Sequence, residues 1–155
     1  MIEERKIQVF IDGIARFFNE VNNIDVEIGT PYLVDNTNPQ SSDFTGIIGI
    51  SGPLRGCVYF SAPRVLLQHV LVSIGEMGST DEEMFDLVGE IANTISGNAR
   101  SEYGESFMIS VPVVINGVPS DIYLPPDARS YVIPISWKTY SSVIVVCLQE
   151  NKAVR

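Results

Sequence analysis

Apolar residues at Ile7, Phe10, Ile11, Ile14, Phe17, Phe18 and Val21 recur at three- and four-residue intervals, which predicts an amphipathic helix from Glu3 to about Val21. From Ile24 to Val34 the pattern alternates only loosely, and Pro31 confines that segment to a sheet edge or an irregular strand. Asp35 to Ser42, DNTNPQSS, has the composition of a surface loop. Two β-like runs, FTGIIGI and GCVYFS, joined by Ser-Gly-Pro-Leu-Arg, predict a hairpin. Pro63 opens a second helix marked by Val65, Leu66, Leu67, Val70, Leu71 and Ile74 and closing near Gly75. Ser79-Thr80-Asp81 supplies N-cap chemistry, with Glu82 and Glu83 at the positive end of the helix dipole, and this third helix should reach about Tyr103. MISVPVV, the segment after Asn116-Gly117, SYVIPIS and SSVIVVCLQ then read as strands. The order is helix, three strands, two helices, then three or four strands. Such grouping predicts an α+β fold, an antiparallel or mixed sheet carrying its helices on one face. A helix followed by strands recurs in both halves, without a residue-level repeat to support it.

Composition narrows the class. A chain of 155 residues, 45% hydrophobic and 19% charged, suits a single globular domain spanning 1–155. The net charge of −9 repels phosphate backbones and anionic lipid, so neither nucleic acid nor membrane is an expected partner. The first residues, MIEERKIQVFIDGI, lack the basic region and continuous apolar run of a signal peptide, and the longest apolar run, Val143 to Leu148, is of strand length. The expectation is a cytoplasmic protein in which Cys57 and Cys147 are buried thiols. With one histidine there is no multi-histidine metal site, and no Ser-His-Asp triad, phosphate-binding glycine loop or zinc-type cysteine pairing stands out. No metal or cofactor of the protein's own is expected. His69, on or beside the apolar face of the second helix, reads as structural.

The third helix carries the one anomaly. Its middle, EIANTISGNAR from Glu90 to Arg100, uses Gly97, two Asn, a Ser and a Thr, all poor helix formers. At 100° per residue Met84, Leu87, Val88, Ile91 and Ile95 gather on one side as core, flanked by Ala92 and Ala99. Asp86, Glu90, Asn93 and Gly97 fall in a straight row on the other side. A solvated face normally draws on Lys, Arg and Gln, yet no basic residue lies between Asp81 and Ala99. Gly89 and Gly97 each cost about 1 kcal/mol relative to Ala in a helix interior. An acid and an amide one turn apart, beside a position without a side chain, describe a docking surface. Asn98, toward the edge of the core face, is placed to hydrogen-bond backbone and brace the helix.

The run Asp86-xxx-Glu90-xx-Asn93, continuing Thr-Ile-Ser-Gly-Asn-Ala-Arg, resembles the active helix of the CheC/CheX/FliY phosphatases of bacterial chemotaxis. GIIGISGPLRGCVYFSAP is similar to that family's hairpin leading into a helix, SVPVVINGV to the strand after the active helix, and Pro112 to its downstream proline. A single copy of the motif resembles the CheX branch rather than the duplicated CheC arrangement. A second Glu-xx-Asn, Glu20 to Asn23, falls where the first helix frays and reads as a helix end. The resemblance implies a CheC/CheX-like fold, a homodimer, and hydrolysis of the aspartyl phosphate on a CheY-like response-regulator receiver that supplies its own Mg²⁺ and lysine. It further implies that Asn93 orients the attacking water, that Glu90 pairs with the receiver's lysine, and that Asp86 and Gly97 border the docking site. The competing readings are a non-catalytic receiver-binding module and a flagellar-switch or scaffold component sharing the fold.

Overall fold

The structure, a computed structural model, describes residues 4–22, 24–36, 41–116 and 129–150. The strand expected just after Asn116-Gly117 and the centre of the DNTNPQSS loop lie outside the described residues.

A 3-10 turn at Glu4–Ile7 leads into α1 (Gln8–Asn22), whose Phe10, Ile14, Phe17 and Phe18 are all buried, as their spacing requires. The loosely alternating segment gives two short strands, β1 (Glu27–Ile28) and β2 (Tyr32–Asp35), one more than expected. The predicted hairpin is β3 (Phe44–Ser51) and β4 (Leu54–Ala62). Its turn uses Gly52 at φ 109, where an added Cβ would sit 2.0 Å from the Ser106 carbonyl oxygen, so only glycine fits. Pro63 caps α2 (Arg64–Ser73), and α3 runs from Asp81 to Tyr103. MISVPVV forms β5 (Met108–Ile109) and β6 (Val113–Asn116), interrupted at Pro112, before β7 (Arg129–Trp137) and β8 (Tyr140–Glu150).

The eight strands form one sheet in the order β1-β7-β8-β4-β3-β5, with β2 also on β7 and β6 also on β3. All the pairings are antiparallel. Along β4, β7 and β8 alternate side chains enter two separate apolar clusters, the period-two signature of a sheet covered on both faces. All three helices bury their apolar stripes in the larger cluster with Val58, Phe60, Ile133, Ile144 and Val146, so the helices share one face. The other face carries a small cluster of Tyr59, Val132, Val145 and Cys147, which Cys57 joins.

Cys57 and Cys147 are directly opposite in the β4–β8 register and both are free thiols. Burial, with the neighbouring Cys147 second, pushes the Cys57 thiol up to about 12, which keeps it inert. Asn36, in the stretch expected as a surface loop, is instead buried, donating to Cys147 Sγ and accepting from the Ser130 hydroxyl. Among the described residues no helix is long and apolar enough to cross a membrane.

The recurrence that the sequence shows only as an order of elements is exact in topology. Replace β1 to β4 by β5 to β8 and the strand order reads the same in reverse. Registers repeat as well. Between β1 and β2 the pairing with β7 slips by one residue, and between β5 and β6 the pairing with β3 slips by one. Pro31 and Pro112 occupy matching places in the two interruptions, each lacking the N–H that the ladder would need. The described residues form two interlocked α-β-β-β-β units joined by α2, with α1 and α3 as counterparts packed against each other.

Candidate active site

The candidate site is a face of α3, a helix fixed at both ends and along its length. Its N-terminus is a reciprocal capping box. The Thr80 hydroxyl accepts from the Glu83 N–H at 3.2 Å, while the Glu83 carboxylate accepts from the N–H groups of Gly78 (3.1 Å) and Ser79 (3.3 Å) and from the Thr80 hydroxyl (3.0 Å). These bonds, the one from Gly78 foremost, hold the Glu83 carboxyl below the usual carboxylate range. A depressed folded-state pKa contributes stability above the unfolded value and loses it as pH falls through the folded value. Glu83→Gln is therefore expected to lower the thermal midpoint at neutral pH, with the gap to wild type closing below about pH 4; thermal melts across pH 3–8 check it. Arg64 pairs with Asp81, stacks over the Phe44 ring at 4.9 Å and donates its N–H to Asp43 at 2.9 Å, tying α2, α3 and β3 together.

Three glycines set how closely α3 approaches its neighbours. A Cβ on Gly46 of β3 would lie 2.8 Å from the Val88 carbonyl oxygen, and one on Gly13 of α1 would lie 3.2 Å from Ile95 Cα. A Cβ on Gly89 itself would meet Val114 Cγ2 of β6 at 3.3 Å. Asn98 braces the same contact, its Nδ2 donating to the Val9 carbonyl at 3.1 Å while its Oδ1 accepts from Arg16 at 3.1 Å. The brace expected of Asn98 is thus made to α1. The C-terminal end closes on Gly104, φ 96, whose N–H bonds the Arg100 carbonyl at 2.8 Å.

Met84, Leu87, Val88, Ile91, Ala92, Ile95 and Ala99 are buried. Asp86, Glu90 and Asn93 are exposed in one row, and a Cβ placed on Gly97 at its end would have nothing within 4 Å. Gly89 and Gly97 therefore differ in kind: the first is required by packing, whereas no contact among the described residues accounts for the second. Among the described residues the Asp86, Glu90 and Asn93 side chains make no hydrogen bond or ion pair. The matching face of α1 has its polar side chains paired, Gln8 donating to Asp12 at 3.0 Å and Arg16 donating to Asn98 of α3. Aligned by the internal repeat, Val9 and Asp12 stand where α3 has Glu90 and Asn93, so α1 carries no second copy. Glu20 matches a position at the very end of α3, beyond the row.

His69 is exposed and lies edge-on to Tyr140 and Trp137 with ring centroids 5.0 and 6.3 Å away, the Tyr140 hydroxyl 3.2 Å from Nε2. It sits on α2, away from the α3 row. Among the described residues no group of three or more His, Cys, Asp or Glu side chains is arranged to hold a metal ion. Sequence reasoning missed Gly13 and Gly46, whose only signal is a small residue inside an otherwise bulky apolar run.

An α+β domain with a palindromic open sheet and one polar helix face turned outward is an architecture with solved relatives. The chain is similar to a CheC-like superfamily protein from Shewanella sp. PV-4, at 26% identity and TM-score 0.81, over 96% of this chain and 99% of that one. It is also similar in fold to the chemotaxis protein CheX from Vibrio vulnificus, at 22% identity and TM-score 0.79, over 94% and 99% of the two chains. A third relative in fold is the CheX-CheY-BeF3-Mg+2 complex from Borrelia burgdorferi, at 20% identity and TM-score 0.72, covering 94% of this chain and 98% of that one. No curated protein matches. The model of the family described as chemotaxis phosphatase CheX matches residues 44–136, and the chain belongs to that family.

Proposed function

We propose that this chain is a cytoplasmic hydrolase that removes the phosphoryl group from the aspartyl phosphate of a CheY-like receiver, with Asn93 and Glu90 as its working pair. The observation that carries the reading is the state of those two side chains. They stand one turn apart on a helix clamped by Gly13, Gly46 and Gly89, exposed and without side-chain partners among the described residues. A polar pair on a firmly held backbone, with no internal bond to break, is available to groups on another molecule. The Borrelia burgdorferi relative, solved as a complex with CheY, supplies the kind of partner.

Hydrolysis of an acyl phosphate by in-line attack asks a catalyst for positioning and charge stabilisation, not for a covalent nucleophile. The Asn93 carboxamide offers both a donor and an acceptor, enough to hold a water on the line of attack without ionising. Glu90, on the same face, supplies a carboxylate for a receiver lysine, a charge-assisted contact that fixes register. Asp86 forms the N-terminal rim and Gly97 the clearance that lets the receiver backbone approach. The metal that neutralises the phosphoryl oxygens belongs to the receiver. Association as a homodimer is part of the same reading.

Gly97 tests the reading without touching either working residue. Gly97→Ala is expected to stabilise α3 by about 1 kcal/mol, since the new methyl meets nothing and Ala is the better helix former. The same methyl should raise the KM for a receiver phosphorylated by a small phosphodonor. Denaturant unfolding and steady-state dephosphorylation measure the two effects. A stabilised variant with unaltered kinetics would show that the clearance serves no partner.

A further inference from the structure

Beyond Asn93 the row continues into a shallow depression lined by Gly97, Arg100, Ser101, Gly104, Glu105 and Ile109. A Cβ on Gly97 or on Gly104 would meet nothing within 4 Å, and Ile109 is the apolar side chain of the lining. Arg100 is the cation of the lining. It is the one basic residue of α3, against Asp81, Glu82, Glu83, Asp86, Glu90 and Glu102. Asp81 is neutralised by Arg64, and Glu83 is held in the capping box. Along the helix row itself the open charges are therefore acidic before Asn93, at Asp86 and Glu90, and cationic after it, at Arg100, with the exposed Glu105 following past the helix end.

Arg100 is exposed, and its guanidinium makes no ion pair or side-chain hydrogen bond among the described residues, although Glu105 lines the same depression. A cation in the last turn of a helix gains from the dipole. That alone does not account for an unpaired arginine in line with Asn93 and lining a depression. At 1.5 Å per residue Arg100 lies about 10 Å along the axis from Asn93, and about 15 Å from Glu90.

We infer that Arg100 is a positioning and specificity residue, pairing with a carboxylate that the receiver presents about 10 Å from its phosphorylation site. The inference rests on the phosphatase reading above and adds a direction to it. A helix laid across a receiver could run either way along its own axis. An acid at one end of the contact row and a cation at the other stabilise one direction and oppose the reverse, in which Arg100 would face the receiver's lysine. The same polarity discriminates among receivers, favouring those with an acid at that place over those with a basic residue, because like charges brought together cost more than a matched pair gains. An apolar receiver side chain beside that acid would fill the depression over Ile109.

The test is dephosphorylation of the phosphorylated receiver by full-length wild type, Arg100→Gln and Arg100→Glu, with Arg55→Glu as a control. Arg55 is exposed on β4, outside the α3 row, and changes net charge by the same amount. Arg100→Glu should raise KM about tenfold at low salt with kcat near wild type, Arg100→Gln should give a smaller rise, and both should flatten the salt dependence. Arg55→Glu should leave KM within about twofold. Reversing one receiver acid to lysine should recover the KM of Arg100→Glu. An active wild type with the same KM in Arg100→Glu overturns the role of Arg100 and leaves the phosphatase reading standing. A wild type that does not accelerate dephosphorylation overturns both.

Discussion

Asn93→Ala is expected to bring receiver dephosphorylation down by about 100-fold or more, to near the receiver's own decay. Asn93 is proposed to hold the attacking water, and alanine can hold none. The substitution should not harm the fold. Asn93 is exposed and its side chain makes no hydrogen bond among the described residues, and alanine is the better helix former, so the unfolding midpoint should stay level or rise. This separation of effects makes the variant informative: activity lost with stability kept assigns the residue to chemistry. Single-turnover decay of phosphorylated receiver, paired with denaturant unfolding, measures both sides. A variant that retains near-normal rate would place the chemistry elsewhere on the molecule.

Gly46→Val acts in the opposite sense, on the frame rather than the reacting groups. The Cβ of the new side chain would fall 2.8 Å from the Val88 carbonyl oxygen, 2.9 Å from Val88 Cγ1 and 3.2 Å from Ala92 Cβ. The first of these is helix backbone, which cannot rotate aside, so α3 must move away from β3. Overpacking of this kind costs about 3 kcal/mol. Because α3 carries the row, its displacement should also slow dephosphorylation under conditions where the variant remains folded. Urea unfolding checks the first effect. A loss below about 0.5 kcal/mol would mean that β3 and α3 are less tightly joined than the glycine contact indicates.

Much of this was legible in the chain because local rules and tertiary structure agree. The third helix is bounded by Thr80 and Tyr103 as its caps and periodicity require, and its core residues are the ones its spacing selects. Pro31 marked an edge segment and Pro63 a helix start for the same reason, a missing N–H. What stayed hidden was non-local. The palindromic sheet is invisible in residue identities, because Phe10, Ile14 and Phe18 of α1 match Ile91, Ile95 and Ala99 of α3 in burial but seldom in type. Gly89 and Gly97 look alike in sequence, and only the position of Val114 separates a packing glycine from an open one. Asn36 reads as loop because its buried partners, Ser130 and Cys147, lie about a hundred residues away. The outward row could be drawn on a helical wheel, whereas the lack of side-chain partners for Glu90, Asn93 and Arg100 among the described residues required the structure.

The central claim is that Glu90 and Asn93 complete a reaction in another protein's active site. The most direct measurement phosphorylates the chain's cognate receiver with a small phosphodonor in the presence of Mg²⁺, removes the donor, and follows phosphoryl loss with and without this protein at substoichiometric amounts. The account predicts accelerated, multiple-turnover decay that saturates with receiver concentration. Decay at the receiver's own rate, with the protein folded and bound to the receiver, would contradict it and leave a binding module in place of an enzyme.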